Sequence, residues 1–208
     1  VEAYLVDDLN YIVTNERGQT LEDTFVVFDI ETTGFSPVKN KIIEIGAVKV
    51  RAGEIVDHFS VFVNPQVPIP YEITQLTGIN DDMVVEAETI EEVLPKFVAF
   101  CEGSVLVAHN ANFDMSFIKM AYTKYNLGVF NYTVIDTLGM SRFITPTEKY
   151  HNLTVLMDRY QIEWDENKHH RADYDAEGTS LVLYKLIDKL KEKEINTIEQ
   201  LYLIPRII

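Results

Sequence analysis

Apolar residues recur along the chain at two different periods, and the changes between them divide it into strands and helices. Runs at 25–30, 42–50 and 54–63 are rich in β-branched and aromatic residues. Gly and Pro signals separate them, and Arg51-Ala52-Gly53 reads as a hairpin turn. Three adjacent strands are the simplest consequence. Thr89-Ile-Glu-Glu92 has the spacing of a capping box, with Val93, Phe97 and Phe100 as an apolar stripe behind it. Pro95 lies deep in that stripe and predicts a later helix start, because proline lacks the N–H that an interior turn needs. Val105–Ala108 predicts a short buried strand. After it Asn112 is placed to cap a helix in which Phe113, Phe117, Met120, Ala121 and Tyr125 recur at helical spacing. Val134–Asp136 predicts a fifth strand, and Leu153, Leu156, Met157 and Tyr160 another helix. The last strong helix runs from about Ala172 to Lys191, with Ala176, Leu183, Ile187 and Leu190 facing inward. Strands first, then alternating helices and strands, predict an α/β fold: a mixed sheet with helices on its faces.

Composition adds limits. The 208 residues, 47% apolar and 25% charged, suit one domain of α/β size. No window approaches the ~18 uninterrupted apolar residues of a membrane span, and no signal segment opens the chain, so a cytoplasmic protein without a membrane partner is expected. The single Cys101 reads as a small core thiol. A formal net charge of −15 argues against unaided grip on nucleic acid, which normally comes from Lys and Arg displacing counterions. Two readings survive. Either the substrate is not a polyanion, or bound cations and a neighbouring basic protein supply the missing charge. The start at Val1 suggests a piece of something longer. Residues 1–13 look like two short strands around an Asp-Asp-Leu-Asn turn, and the apolar 198–208 end should be covered by something.

Against this background VVFDIETTGF, residues 26–35, is anomalous: an apolar run holding Asp29 and Glu31. Residues two apart in a strand point to the same face, about 6.6–7 Å apart. Two like charges on a half-buried face repel and lose hydration unless a cation lies between them, and a hard divalent ion is the natural candidate. A strand end emerging into solvent is the competing explanation for these two acids alone. Thr32-Thr33-Gly34 then forms a turn where backbone can approach a ligand closely. Asp114 and Asp175 each fall in the first turn of a predicted helix, where the dipole favours an ionised carboxylate. Each alone has that ordinary explanation. His170, five residues before Asp175, lies with His169 in a polar loop and titrates near neutrality, so it can take a proton from water.

Together, Asp29-Ile-Glu31-Thr-Thr-Gly, His109-Asn-Ala-Asn-Phe-Asp114 and His170-Arg-Ala-Asp-Tyr-Asp175 resemble, in order, residue types and spacing, the three motifs of the DEDDh family of 3′→5′ exonucleases. A finer likeness is to the exonuclease domain embedded in C-type polymerase III alpha chains (PolC). It rests on residues 26–34, on Ile42-Ile-Glu-Ile-Gly-Ala-Val48 and on Leu76-Thr-Gly-Ile-Asn-Asp-Asp-Met83. The resemblance implies a ribonuclease H-like, mixed five-stranded sheet flanked by helices. Asp29, Glu31, Asp114 and Asp175 would hold two Mg²⁺ or Mn²⁺ ions, and His170 would be the general base, since His169 does not fit the spacing. Thr32, Gly34 and Phe35 would line the terminal nucleotide, with His109, Asn110 and Phe113 nearby. The implied activity is hydrolysis of DNA from a 3′ end into nucleoside 5′-monophosphates, as proofreader of a replicative polymerase. An RNA-trimming 3′ exonuclease and a non-catalytic binding module of the same fold are the alternatives. The implied organisation is an exonuclease domain over 25–191, with tails 1–24 and 192–208 belonging partly to neighbouring domains, a PHP domain among them. QLYLI at 200–204 loosely resembles a sliding-clamp-binding peptide, against the simpler reading that it packs.

Overall fold

In the computed structural model, which describes residues 19–128, 130 and 132–202, the central strand is β1 (Phe25–Thr32). Its alternation sorts two cores. Phe25 and Val27 face one side of the sheet, and Val26, Phe28 and Ile30 the other. β2 (Ile42–Arg51) and β3 (Glu54–Phe62) extend the sheet antiparallel from β1, and Ala52 and Gly53, both at positive φ, make the predicted hairpin turn. β4 (Val105–Ala108) and β5 (Val134–Asp136) add parallel on the other flank, giving the order β3-β2-β1-β4-β5. This is the expected mixed five-stranded sheet.

Short helices α1 (Tyr71–Thr77) and α2 (Asp81–Val84) cover Ile43 through Ile69, Ile79 and Val84. α3 (Ile90–Cys101) and α4 (Ala111–Lys124) fill the even-numbered face of β1 with Val93, Leu94, Phe97, Met115 and Ile118, and Cys101 is buried among them. α5 (Thr137–Ile144), α6 (Leu153–Arg159) and α7 (Ala172–Glu192) fill the other, with Leu183, Leu186, Ile187 and Leu190 fully inside. No described helix is long and apolar enough to cross a membrane.

Two expected boundaries move. α3 starts at Ile90 in spite of Pro95: Thr89 donates both its N–H and its hydroxyl to Glu92 Oε2, fixing the first turn. Pro95 and Glu91, whose carbonyl loses its helical donor, both lie on the exposed side, where water can replace the bond. α4 is capped by Asn110, not Asn112, with Asn110 left-handed at φ 65° and ψ 52°.

The folded unit also runs past 25–191. Thr20 bridges Thr197, Leu21 N–H donates to the Asn196 carbonyl, and Leu21, Ile198 and Leu201 are buried in the α7 core. Gln200 Oε1 accepts from the Asn196 and Thr197 N–H groups. Residues 200–202, the described part of the clamp-like string, are therefore spent on packing the C-terminal helix α8 (Ile198–Tyr202). The two strands expected within 1–13 lie outside the described residues.

Candidate active site

Asp29 and Glu31 continue the Phe25/Val27 face of β1 toward the start of α7. That helix can come close because β2 offers Gly46, the residue paired with Asp29. A Cβ at Gly46 would lie 2.1 Å from the Asp173 nitrogen. Asp175, one turn into α7, thus meets the β1 acids, and Asp29, Glu31 and Asp175 each present a carboxylate oxygen within 4.8 Å of the others. Asp114 arrives from α4 on the opposite flank, and its Oδ1 accepts the Ile30 N–H, 3.2 Å away, between the two β1 acids. A register shift at Glu31/Thr32 ends the regular pairing just there.

Asp29, Glu31 and Asp114, gathered this way, resist ionisation. Burial first, then Asp114, Glu31 and Asp175, holds Asp29 well above the usual carboxylate range. Burial and Asp175 push Glu31 up to about 9. Burial also raises Asp114, against the pull of the Ile30 N–H. The Thr-Thr-Gly turn closes over this cluster by its own bonds: Thr32 Oγ1 donates to the Gly34 carbonyl at 2.6 Å, and Thr33 Oγ1 accepts the Lys41 N–H at 3.0 Å.

The histidine loop wraps Asp175. His170 donates its backbone N–H to Oδ2 at 3.1 Å, and His169 Nδ1 lies 2.7 Å from Oδ1. Both rings are half-buried, and His169 packs on Trp164 at 4.8 Å. His169, which the motif spacing passes over, has its ring tied to Asp175. The His170 ring nitrogens have no hydrogen-bond partner among the described residues. His170, left-handed at φ 66°, is held below its ordinary pKa by burial first and then by His169, so it is a neutral base at pH 7.

His109 departs from its expected place beside a nucleotide. Nε2 lies 2.8 Å from the His151 carbonyl and Nδ1 2.8 Å from Thr137 Oγ1. A carbonyl only accepts, so Nε2 carries the proton and Nδ1 accepts from Thr137, consistent with burial pushing His109 down to about 4. Both nitrogens are spent inside the fold. Phe35, by contrast, is 83% exposed, with Phe113 edge-on at 6.5 Å and Phe117 beyond at 5.1 Å.

Two buried acids were not singled out from the sequence. Glu44, 1% exposed and paired with Glu31 across β1–β2, accepts from Arg171 at 3.0 Å and from the Ala172 N–H at 3.1 Å, pinning the start of α7. Asp136 accepts the Asn110 and Leu138 N–H groups, both at 2.9 Å, pinning the start of α4. The signal for Glu44 was legible: a charge inside the apolar run IIEIGAV, as anomalous as Asp29 and Glu31.

A family profile described as Exonuclease (RNase_T) matches residues 26–183. The chain belongs to the Exonuclease family. It is 50% identical over 201 residues to a PolC-type DNA polymerase III of Caldanaerobacter subterraneus subsp. tengcongensis, and 44% over 203 residues to that of Bacillus subtilis (strain 168). Each match covers 97% of this chain but 14% of the relative, so the chain spans about a seventh of those proteins. Among solved structures, Exonuclease X in complex with 5′ overhanging duplex DNA superposes with a TM-score of 0.63 at 29% identity, over 79% of this chain and 91% of that one. A 3′-exonuclease solved in specific recognition of a histone mRNA stem-loop shares the fold at a TM-score of 0.68 and 19% identity, over 80% and 82%. The ribonuclease H-like architecture and the exonuclease assignment of this domain follow.

Proposed function

We propose that this Exonuclease domain is the 3′→5′ proofreader of a C-type replicative DNA polymerase, hydrolysing DNA at a 3′ end into nucleoside 5′-monophosphates. One observation carries the reading: Asp29, Glu31, Asp114 and Asp175 converge from three separate elements, with a neutral His170 beside the last.

The family is dependent on divalent metal, and this donor set fits two Mg²⁺ or Mn²⁺ ions. It offers only hard oxygen ligands, in a setting where burial and mutual repulsion penalise their charge until cations balance it. Asp29, Glu31, Asp114 and Asp175 would hold them. Bound there, such ions neutralise phosphate charge as Lewis acids and ease the ionisation of water. His170 takes the proton of the attacking water, a contribution of roughly 10²–10⁴ in rate. Phe35 and Phe113 offer aromatic faces to the terminal base, and the Thr32–Gly34 turn and Asn110 lie beside its sugar and phosphate. The net charge of −15 then means weak metal-independent DNA binding and reliance on the surrounding polymerase and PHP domains for processivity.

Incubating the chain and Mg²⁺ or Mn²⁺ with a 5′-labelled single strand should give a descending ladder, absent in Asp29→Ala. Activity surviving in that variant would refute the carboxylate assignment. A folded, inactive wild type would leave a binding module, and RNA 3′ ends degraded in preference to DNA would move the substrate to RNA.

A further inference from the structure

A groove lies beside the candidate active site, joined to it through the hydrogen bonds between Thr33 and Lys41. One wall is the β1–β2 loop with the start of β2, and the other is the last turns of α4. Lys41 stands on the first wall and Lys124 on the second, so both line the same groove. Ile42, Phe117 and Met120 give the groove an apolar lining, and Tyr125 stands at its edge.

Two amines lining one groove face the same difficulty as the two acids of β1. Each charge repels the other, and Lys41 is held below its ordinary value by Lys124 and then by burial. Neither has a carboxylate within ion-pair distance among the described residues, in a chain with a net charge of −15. An anion between them restores both charges and both sets of hydrogen bonds.

The groove is continuous with the site in two ways. Lys41 exchanges two hydrogen bonds with Thr33, its carbonyl accepting the Thr33 N–H at 2.8 Å and its N–H reaching Thr33 Oγ1 at 3.0 Å. The aromatic series Phe35, Phe113, Phe117 runs from the mouth of the site to the groove lining. Paired cations beside aromatic faces are the pattern that tracks a single strand, phosphates on the amines and bases on the rings.

We propose that Lys41 and Lys124 together hold a backbone phosphate of the nucleic-acid strand upstream of its 3′-terminal nucleotide. This rests on the exonuclease reading and adds where the strand runs and what gives the domain its grip on more than the last residue. The amines are half-buried or exposed and bear no part of the core, so their removal leaves the fold intact.

The test is binding of fluorescently labelled dT2 and dT12 to the chain in Ca²⁺, by anisotropy, comparing wild type with K41Q/K124Q and following salt. The double variant should lose about tenfold in affinity for dT12. Its log–log salt slope should fall by about 0.7, one single-strand phosphate, and its ratio of dT12 to dT2 affinity should drop in step. Equal losses on dT2 and dT12, or no loss on either, would overturn the proposal. So would a wild-type groove that binds an acidic peptide and not dT12, which would make it a protein-docking surface. Because binding is read without hydrolysis, a chain that binds dT12 through these lysines yet cleaves nothing would refute the catalytic reading and leave the subsite standing.

Discussion

Asn in place of Asp29 keeps the shape of the side chain and removes one charge, so it separates the electrostatics of the site from its packing. The Asp29 carboxylate lies within 4.8 Å of those of Glu31 and Asp175. At that separation and an effective dielectric constant near 20, each like-charge contact costs about 3–4 kcal/mol. Protons relieve part of this cost at neutral pH. Glu31 has an ordinary value of 4.5 and is pushed up to about 9, so its folded form holds a proton that the unfolded chain releases. A raised folded pKa contributes stability that is complete below 4.5 and lost as pH climbs through about 9. Metal-free wild type should therefore lose stability between about pH 5 and 9, and Asp29→Asn should lose less. At pH 9 in EDTA the variant should be more stable by about 3 kcal/mol, or roughly 6–12 °C in Tm for a domain of this size. Mg²⁺ at 100 times its Kd should add about 2.7 kcal/mol to wild type and little to the variant. Thermal melts across this pH range, with and without Mg²⁺, read all of this. Asp29→Asn melting at or below wild type at every pH in EDTA, or gaining as much from Mg²⁺, would refute the reasoning.

Other expectations follow from neighbouring residues. His170→Ala should cut kcat roughly 10²–10⁴-fold while keeping the Mg²⁺-induced rise in Tm; a variant that loses both would make His170 a metal-site residue instead of a base. Gly46→Ala places a Cβ 2.1 Å from α7 backbone, so it should destabilise by about 1–3 kcal/mol and weaken Mg²⁺ binding by displacing Asp175, both visible by calorimetry. Burial raises Asp136 to about 6 from 3.8, so wild-type stability should fall by roughly 3 kcal/mol as pH rises through 4–6. Asp136→Asn keeps an acceptor for Asn110 and Leu138 and escapes that loss, whereas Asp136→Ala does not keep it; equal melting of the two variants at pH 7 would contradict this.

The sheet was legible because strand periodicity and burial coincide: β1, β2 and β3 lie within two residues of the apolar runs that predict them. The acids were legible by order and spacing, but their convergence was not, because it depends on Gly46 letting α7 touch the sheet. Local signals misled where long-range contacts decide. Asn112 looked like a cap, yet Asp136, 26 residues from Asn110, fixes the start of α4 there. Pro95 looked like a stop, yet its capping box and exposed face absorb it. His169 looked idle, because nothing in sequence shows that its ring reaches Asp175. His109 looked like a ligand contact, because its partners Thr137 and His151 are 28 and 42 residues away.

The proposed chemistry, in which four clustered carboxylates and His170 remove nucleotides one at a time from a 3′ end, is tested most directly by mass spectrometry of the products from a DNA strand labelled at both ends, with wild type and Asp29→Asn side by side in Mg²⁺. Wild type should release nucleoside 5′-monophosphates singly from the 3′ end, with the 5′ label kept on shortening strands, and the variant none even where it melts higher in EDTA. Early release of the 5′ label, internal fragments, or equal cleavage by both proteins would contradict it.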